Sequence, residues 1–257
     1  MPRYKLTLEY DGRPFKGWQR QKNGPSVQEA LETAVHAFCG ETVTVQSAGR
    51  TDAGVHAVGQ VAHLDLEKPV ALETLQRAIN HHLRPAPIAV LRAAAVEPDF
   101  HARFSATARH YRYRIIARRA PLVLDLGRAW HLPAMIEVEV MHEAAQRLIG
   151  KHDFSSFRSA ACQAQSPIKT MDRITVHRLG EEIQIDVSAR SFLHHQVRNI
   201  VGTLKLIGES KWPIDRIETI LAAKDRAAAG PTAPAEGLYL IGVDYQNMRP
   251  GLRPAHG

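Results

Sequence analysis

The chain has no run approaching the roughly 20 apolar residues needed to cross a bilayer, and residues 1–10 alternate charged and apolar side chains where a secretion signal would carry an apolar core. A cytoplasmic protein without a membrane partner is the expectation. Cysteine is scarce as well. Cys39 and Cys162 lie far apart without CxxC spacing, which argues against a disulfide framework or a cysteine zinc site and makes two buried, inert thiols the expectation. Metal-binding patterns are also missing. Asp52, His56, His63 and Asp65 fit no established spacing such as HExxH, so no metal is expected. The adjacent pairs His81-His82 and His194-His195 are expected to split across helix surfaces and not to converge on one ion.

What the chain does have is positive charge. A net +7 over 257 residues and a pI of 9.6 favour a polyanionic partner, because clustered Lys and Arg release condensed counterions on contacting phosphates. Nucleic acid is favoured, and an anionic membrane surface is the alternative that charge alone allows. A mass of 28.5 kDa suffices for one large domain or two small ones.

Tyr4, Leu6, Leu8 and Tyr10 alternate with Lys5, Thr7 and Glu9, the period of a strand with one buried face. Ser26 and Glu29 form a capping box ahead of Val27, Ala30, Leu31, Ala34, Val35 and Phe38, which predicts a helix over 27–38. Strands over 42–47 and 58–66, a helix with Leu72, Leu75, Ile79 and Leu83 on one face, and a strand over 88–96 complete the β-α-β-β-α-β order of the split βαβ motif. The second part repeats this order more loosely. It has a strand over 110–117, a helix over 138–149, strands over 173–179 and 183–189, a helix over 193–207, an extra helix from Pro213 and a last strand over 238–245. Residues 117–133 and 151–171 read as long connections, and 227–237 as an Ala-, Pro- and Gly-rich loop. The predicted fold class is α+β: two ferredoxin-like halves with mixed, mainly antiparallel sheets flanking a central basic cleft. The halves span 1–100 and 101–247, with a tail over 248–257. A single mixed α+β domain is the alternative.

Chemistry concentrates in Ser47-Ala48-Gly49-Arg50-Thr51-Asp52-Ala53-Gly54-Val55-His56, a charged, glycine-bearing loop between two apolar strands. Arg50 stands where it can pair with Asp52 and hold an ionised carboxylate in a cleft, suited to act as nucleophile or base. The competing reading is an Arg-Asp pair that only fastens a hairpin. In His110-Tyr111-Arg112-Tyr113-Arg114, a strand puts both tyrosines on one face and both arginines on the other, the pieces that stack unpaired bases and track phosphates. Core tyrosines with solvated arginines are the alternative. Arg13, Lys16, Arg20, Lys22, Arg103, Arg109, Arg190, Arg198 and Lys205 are further candidates for phosphate contact.

Several segments together resemble the tRNA pseudouridine synthase A family. They include Glu9-Tyr10-Asp11-Gly12, Gly17-Trp18-Gln19-Arg20-Gln21, Gly49-Arg50-Thr51-Asp52-Ala53-Gly54-Val55-His56-Ala57, Phe100-His101-Ala102-Arg103-Phe104-Ser105-Ala106 and Tyr111-Arg112-Tyr113. Further along come His152-Asp153-Phe154-Ser155-Ser156-Phe157, Phe192-Leu193-His194-His195-Gln196-Val197-Arg198-Asn199-Ile200-Val201-Gly202, Thr232-Ala233-Pro234 and Gly237-Leu238-Tyr239-Leu240. The resemblance spans nearly the whole chain in order. It implies Asp52 as the catalytic aspartate, Arg50 as its ion-pair partner and Tyr111 as the ring packed on the target uracil, with Arg198 and Leu238 as further substrate-binding positions. It also implies a homodimer that isomerises uridines 38 to 40 in the tRNA anticodon arm without cofactor or metal. A non-catalytic tRNA-binding protein of the same fold and a carboxylate-based nucleotide hydrolase are the competing classes.

Overall fold

In a computed structural model, which describes residues 1–246, β1 (Arg3–Tyr10) buries Tyr4, Leu6, Leu8 and Tyr10 on one face, as its period-two alternation dictates. The expected tail over 248–257 lies outside the described residues. α1 (Val27–Cys39) starts where the Ser26 side chain accepts the Glu29 N–H and stops at Gly40, whose φ of 77° closes the last turn. It buries Val27, Leu31, Ala34 and Val35. The strand expected over 42–47 shrinks to β2 (Gln46–Ser47). The Val45 N–H is taken by the Glu32 carboxylate at 3.1 Å, so that stretch bonds to a helix side chain instead of a strand. β3 (His56–Asp65), α2 (Leu72–Leu83) and β4 (Ile88–Val96) follow. Leu75, Ile79 and Leu83 face inward on α2, while Leu72, in its first turn, stays exposed.

Two compact units emerge, Met1–Thr107 with residues 240–246, and Ala108–Tyr239. In the first, β1 lies between β4 and β3 and pairs antiparallel with both, and β2 pairs with the end of β3. β10 (Leu238–Tyr245) counts with this unit from Leu240 and lies against β3, so close that a Cβ on Gly59 would sit 2.4 Å from the Ile241 carbonyl oxygen. The sequence expectation kept residues through 247 in the second half. Strand periodicity is local and carries no information about which strand a terminal strand lies beside.

The second unit contains β5 (Ala106–Ala117), β6 (Trp130–Leu132), α3 (Val138–Gln146), β7 (Gly150–Asp153), β8 (Ile168–Leu179), β9 (Glu182–Ala189), α4 (Gln196–Gly208) and α5 (Arg216–Ala223). Its strands run β5-β9-β8-β7, all antiparallel, with β6 added parallel to β5. β6 and β7 lie where long connections were expected, because strands this short leave no periodic signal. α3 ends at Gln146, and Gly150 at φ 100° turns the chain into β7. α4 begins three residues later than expected: His195 sits in the left-handed region at φ 63°, and the Gln196 side chain accepts the Leu193 N–H at 2.8 Å. α3 packs on α4 closely enough that a Cβ on Gly208 would overlap Met141. The architecture is α+β with mainly antiparallel strands. Among the described residues no helix is long and apolar enough to cross a membrane.

Candidate active site

Asp52 lies in the loop between β2 and β3, half-buried, on a backbone fixed from several sides. The Thr51 hydroxyl bonds the buried Tyr10 hydroxyl at 2.8 Å, and the Thr51 carbonyl accepts the Trp18 N–H at 3.0 Å. Burial pushes the Tyr10 hydroxyl up to about 12 against the opposing bonds from Thr51 and Gln60, so it stays neutral. Gln60 donates to that hydroxyl and to the Gly49 carbonyl, at 3.3 and 2.8 Å. The Val55 N–H closes a turn onto the Asp52 carbonyl at 3.1 Å, with Gly54 at φ 78°. The segment after β1 presses against this loop. A Cβ on Gly12 would lie 2.0 Å from the Val55 carbonyl oxygen, and one on Gly17, at φ 100°, 2.5 Å from that of Thr51. Only glycine permits so close an approach of two backbones.

Arg50 is exposed, and among the described residues no ion pair joins it to Asp52. The loop backbone is held by hydrogen bonds involving Tyr10, Trp18 and Gln60 and by the glycine contacts.

The metal reading of Asp52, His56, His63 and Asp65 finds three of its members engaged elsewhere. His56 Nδ1 lies 3.1 Å from the Gly12 nitrogen, whose N–H points at it, and 3.3 Å from an Asp11 carboxylate oxygen. His63 Nδ1 accepts the Ala102 N–H, and burial, together with nearby His101 and Arg3, lowers the ring to about 4. Asp65 receives two hydrogen bonds from the Arg3 guanidinium, both 2.7 Å.

Burial resists ionisation of Asp11, but the Arg13 side chain and N–H outweigh it and hold the carboxyl at about 2, below its ordinary 3.8. The folded value is the lower one, so the stability this group contributes is complete above the unfolded value and is lost as pH falls from about 4 towards 2. Asp65, held down chiefly by its bonds from Arg3, acts with the same sign. Urea unfolding of Asp11→Asn is expected to show a shallower loss of stability across that acid range than the parent chain.

In the second unit the two tyrosines of β5 have different environments. Tyr113 is fully buried and its hydroxyl donates to the Pro234 carbonyl at 2.7 Å, so it is core. Tyr111 is half-buried and meets Phe192 edge-on, with centroids 5.2 Å apart. Arg112 pairs with Asp186, and Arg114 with Glu182 and Asp125, so these two arginines are bound to carboxylates and not simply solvated.

Arg198, in the first turn of α4, donates from Nε to the Ala233 carbonyl at 2.8 Å, and Ala233 returns its N–H to the Arg198 carbonyl. Leu238, the first residue of β10, is buried. Next to Arg198, buried Asn199 donates to the Phe157 carbonyl at 2.8 Å and accepts from Thr232 and Arg226 at 2.7 and 3.1 Å. Asn199→Ala leaves these groups without their partner. A loss of stability on the order of 3 kcal/mol is expected in urea unfolding, since each stranded buried group costs about 1–3.

Residues 7–105 and 144–246 match the family model described as tRNA pseudouridine synthase. Among curated relatives named tRNA pseudouridine synthase A, that of Rhodospirillum centenum is 62% identical over 245 residues, covering 95% of this chain and all of the relative. That of Parvibaculum lavamentivorans is 58% identical over 246 residues, covering 96% and 100%, and that of Paramagnetospirillum magneticum 59% over 245, covering 95% and 96%. The chain belongs to the tRNA pseudouridine synthase family. It is accordingly an enzyme, an isomerase that modifies tRNA.

Seen within that family, Asp52 and Arg50 fall in one unit and Tyr111, Arg198 and Leu238 in the other. The sequence placed Tyr10 on the buried face of a strand and Gly12, Gly17 and Trp18 in family-like segments, but gave neither these residues nor Gln60 a part in fixing the Asp52 loop. Their signal was the glycine in each of Asp11-Gly12 and Gly17-Trp18, which marks close backbone contact without naming the partner. The histidine pairs do not split as expected. The rings of His81 and His82 meet at 5.0 Å and those of His194 and His195 at 4.0 Å, the second pair because His195 precedes α4 in a left-handed conformation. The thiols also depart from expectation: Cys39 is exposed near the end of α1 and Cys162 partly so.

Proposed function

We propose that this enzyme isomerises uridines 38, 39 and 40 of the tRNA anticodon stem-loop, with Asp52 as nucleophile on a flipped-out nucleotide. The observation that carries the assignment of Asp52 is the loop itself. Its backbone is held by Tyr10, Gly12, Gly17 and Trp18, and Asp52 itself is half-buried. Such a mounting pre-organises a reacting group. In the reaction the bond from N1 of the ring to C1′ of the sugar breaks and a bond from C5 to C1′ forms, with the C5 proton lost and N1 reprotonated. The change is redox-neutral and leaves the mass unchanged. A carboxylate nucleophile serves this exchange at either electrophilic carbon, C1′ or ring C6, and departs when the ring is rejoined through C5.

Stacking shields a uridine in the anticodon stem, so the target must leave the helix. Tyr111 is the ring proposed to receive it, with Arg198 and Leu238 lining its approach and the exposed Arg50 closing on Asp52 as RNA displaces water. Basic charge favours phosphate contact, and the working form is proposed to be a cytoplasmic homodimer. Tyr111→Phe keeps the ring and is expected to retain most turnover, whereas Tyr111→Ala is expected to lower kcat/KM about 10- to 100-fold. Equal inactivity of the two variants would assign the hydroxyl a chemical part.

Unmodified tRNA incubated with the protein in chelator, then digested and analysed as nucleosides, tests the function. Conversion of uridine to an isomer of equal mass is expected. Binding without conversion would support the non-catalytic class, and release of base or phosphate the hydrolase.

A further inference from the structure

Phe104 is a large apolar side chain placed at the surface, 72% exposed, in a turn built with unusual thoroughness. The Ser105 N–H donates to the His101 carbonyl, and the His101 N–H to the Ser105 hydroxyl. The N–H groups of Arg103 and Phe104 both point at His101 Nδ1, at 3.1 and 3.4 Å. The Ala102 N–H is held by His63, and Arg3 donates to the Pro98 and Phe100 carbonyls just upstream. Five side chains or backbone groups thus fix a turn whose most prominent product is an exposed ring. Solubility alone gives no reason to hold it so.

The ring is also dressed for a particular kind of ligand. His101 lies 4.3 Å from Phe104 between centroids at an interplanar angle of 40°, and the Arg103 guanidinium sits 5.6 Å from the same ring. His101 in turn meets His63 at 4.7 Å. Burial, with Arg3 and Arg103 nearby, pushes His101 below the ordinary imidazole range, so it presents a neutral ring in neutral solution. An aromatic face backed by a second ring and flanked by a guanidinium is the combination on which unpaired nucleobases stack, with the cation beside the adjoining phosphate.

We propose that Phe104, supported by His101 and Arg103, is a stacking platform for an unpaired nucleobase of the bound tRNA, separate from the nucleotide that meets Asp52. This rests on the reading of the protein as a tRNA-modifying enzyme. The platform supplies affinity and register, so its loss appears in binding: base–aromatic stacking corresponds to about 5- to 150-fold in Kd.

The test measures tRNA binding and pseudouridine formation for the parent chain, Phe104→Ala, Phe104→Tyr and Phe104→Trp. Phe104→Ala is expected to raise Kd and KM for tRNA at least about 5-fold, with an unchanged salt slope because no charge is removed. Phe104→Tyr should restore parental binding. The added indole of Phe104→Trp, read as the difference from the parent, should be quenched by tRNA and not by heparin, a polyanion without bases. Binding of Phe104→Ala within twofold of the parent, or equal quenching by heparin, overturns the platform. Failure of the parent chain to form pseudouridine overturns the functional reading instead, and the fluorescence arm still decides whether bases stack on residue 104.

Discussion

Asp52→Asn and Asp52→Ala are expected to fold, to bind tRNA and to form no measurable pseudouridine, with kcat/KM at least about 10⁴-fold below the parent. The asparagine variant is the more informative, since it keeps the shape of the side chain and removes only the charge and nucleophilicity. Folding should survive because the loop is held by backbone and neighbour contacts: Thr51 to Tyr10 and Trp18, Val55 to the Asp52 carbonyl, and the glycine approaches. Unfolding curves of parent and variant should therefore nearly coincide, and filter binding should give similar Kd values. Appreciable turnover by either variant would remove Asp52 from the chemistry.

Gly12→Ala is expected to have the next largest effect on turnover, although residue 12 carries no reactive group. Its new methyl would lie 2.0 Å from the Val55 carbonyl oxygen and also crowd Gly54, so the turn that follows Asp52 has to move. Overpacking of this kind costs about 1–3 kcal/mol of stability. A displacement near 1 Å at a reacting group costs about 10²-fold in rate, and that is the fall expected in kcat, with KM for tRNA little changed. Gly40→Asn is the control. Gly40 also has a positive φ, but a Cβ there would meet no neighbouring atom within 4 Å, and asparagine tolerates that conformation. Its turnover should remain parental. A normal kcat for Gly12→Ala would mean that the loop is not a rigid mount for Asp52.

Elements with strong periodicity were legible in the sequence. β1, α1 and α2 follow directly from alternation, from the Ser26 cap and from helical spacing. What escaped was set by contacts between distant segments. β2 is short because Glu32 takes the Val45 N–H, β6 and β7 are too brief to show a period, and β10 joins the first unit at a position no local pattern reveals. At the site, glycine and charge marked the Asp52 loop, but its fastening by Tyr10, Gly12 and Trp18 depends on segments about 40 residues away, a separation to which local pattern is blind. The tyrosine strand was legible only as two equal rings. Burial divides Tyr113, in the core with its hydroxyl on the Pro234 carbonyl, from Tyr111, which is half-buried against Phe192.

The most direct measurement maps pseudouridine position by position in an unmodified tRNA after single-turnover reaction with the parent chain and with Asp52→Asn, with binding recorded in the same samples. The parent is expected to convert uridines at positions 38 to 40 and leave others unchanged, while Asp52→Asn binds as tightly and converts none. Conversion by Asp52→Asn, or conversion by the parent confined to another arm of the tRNA, would contradict the account.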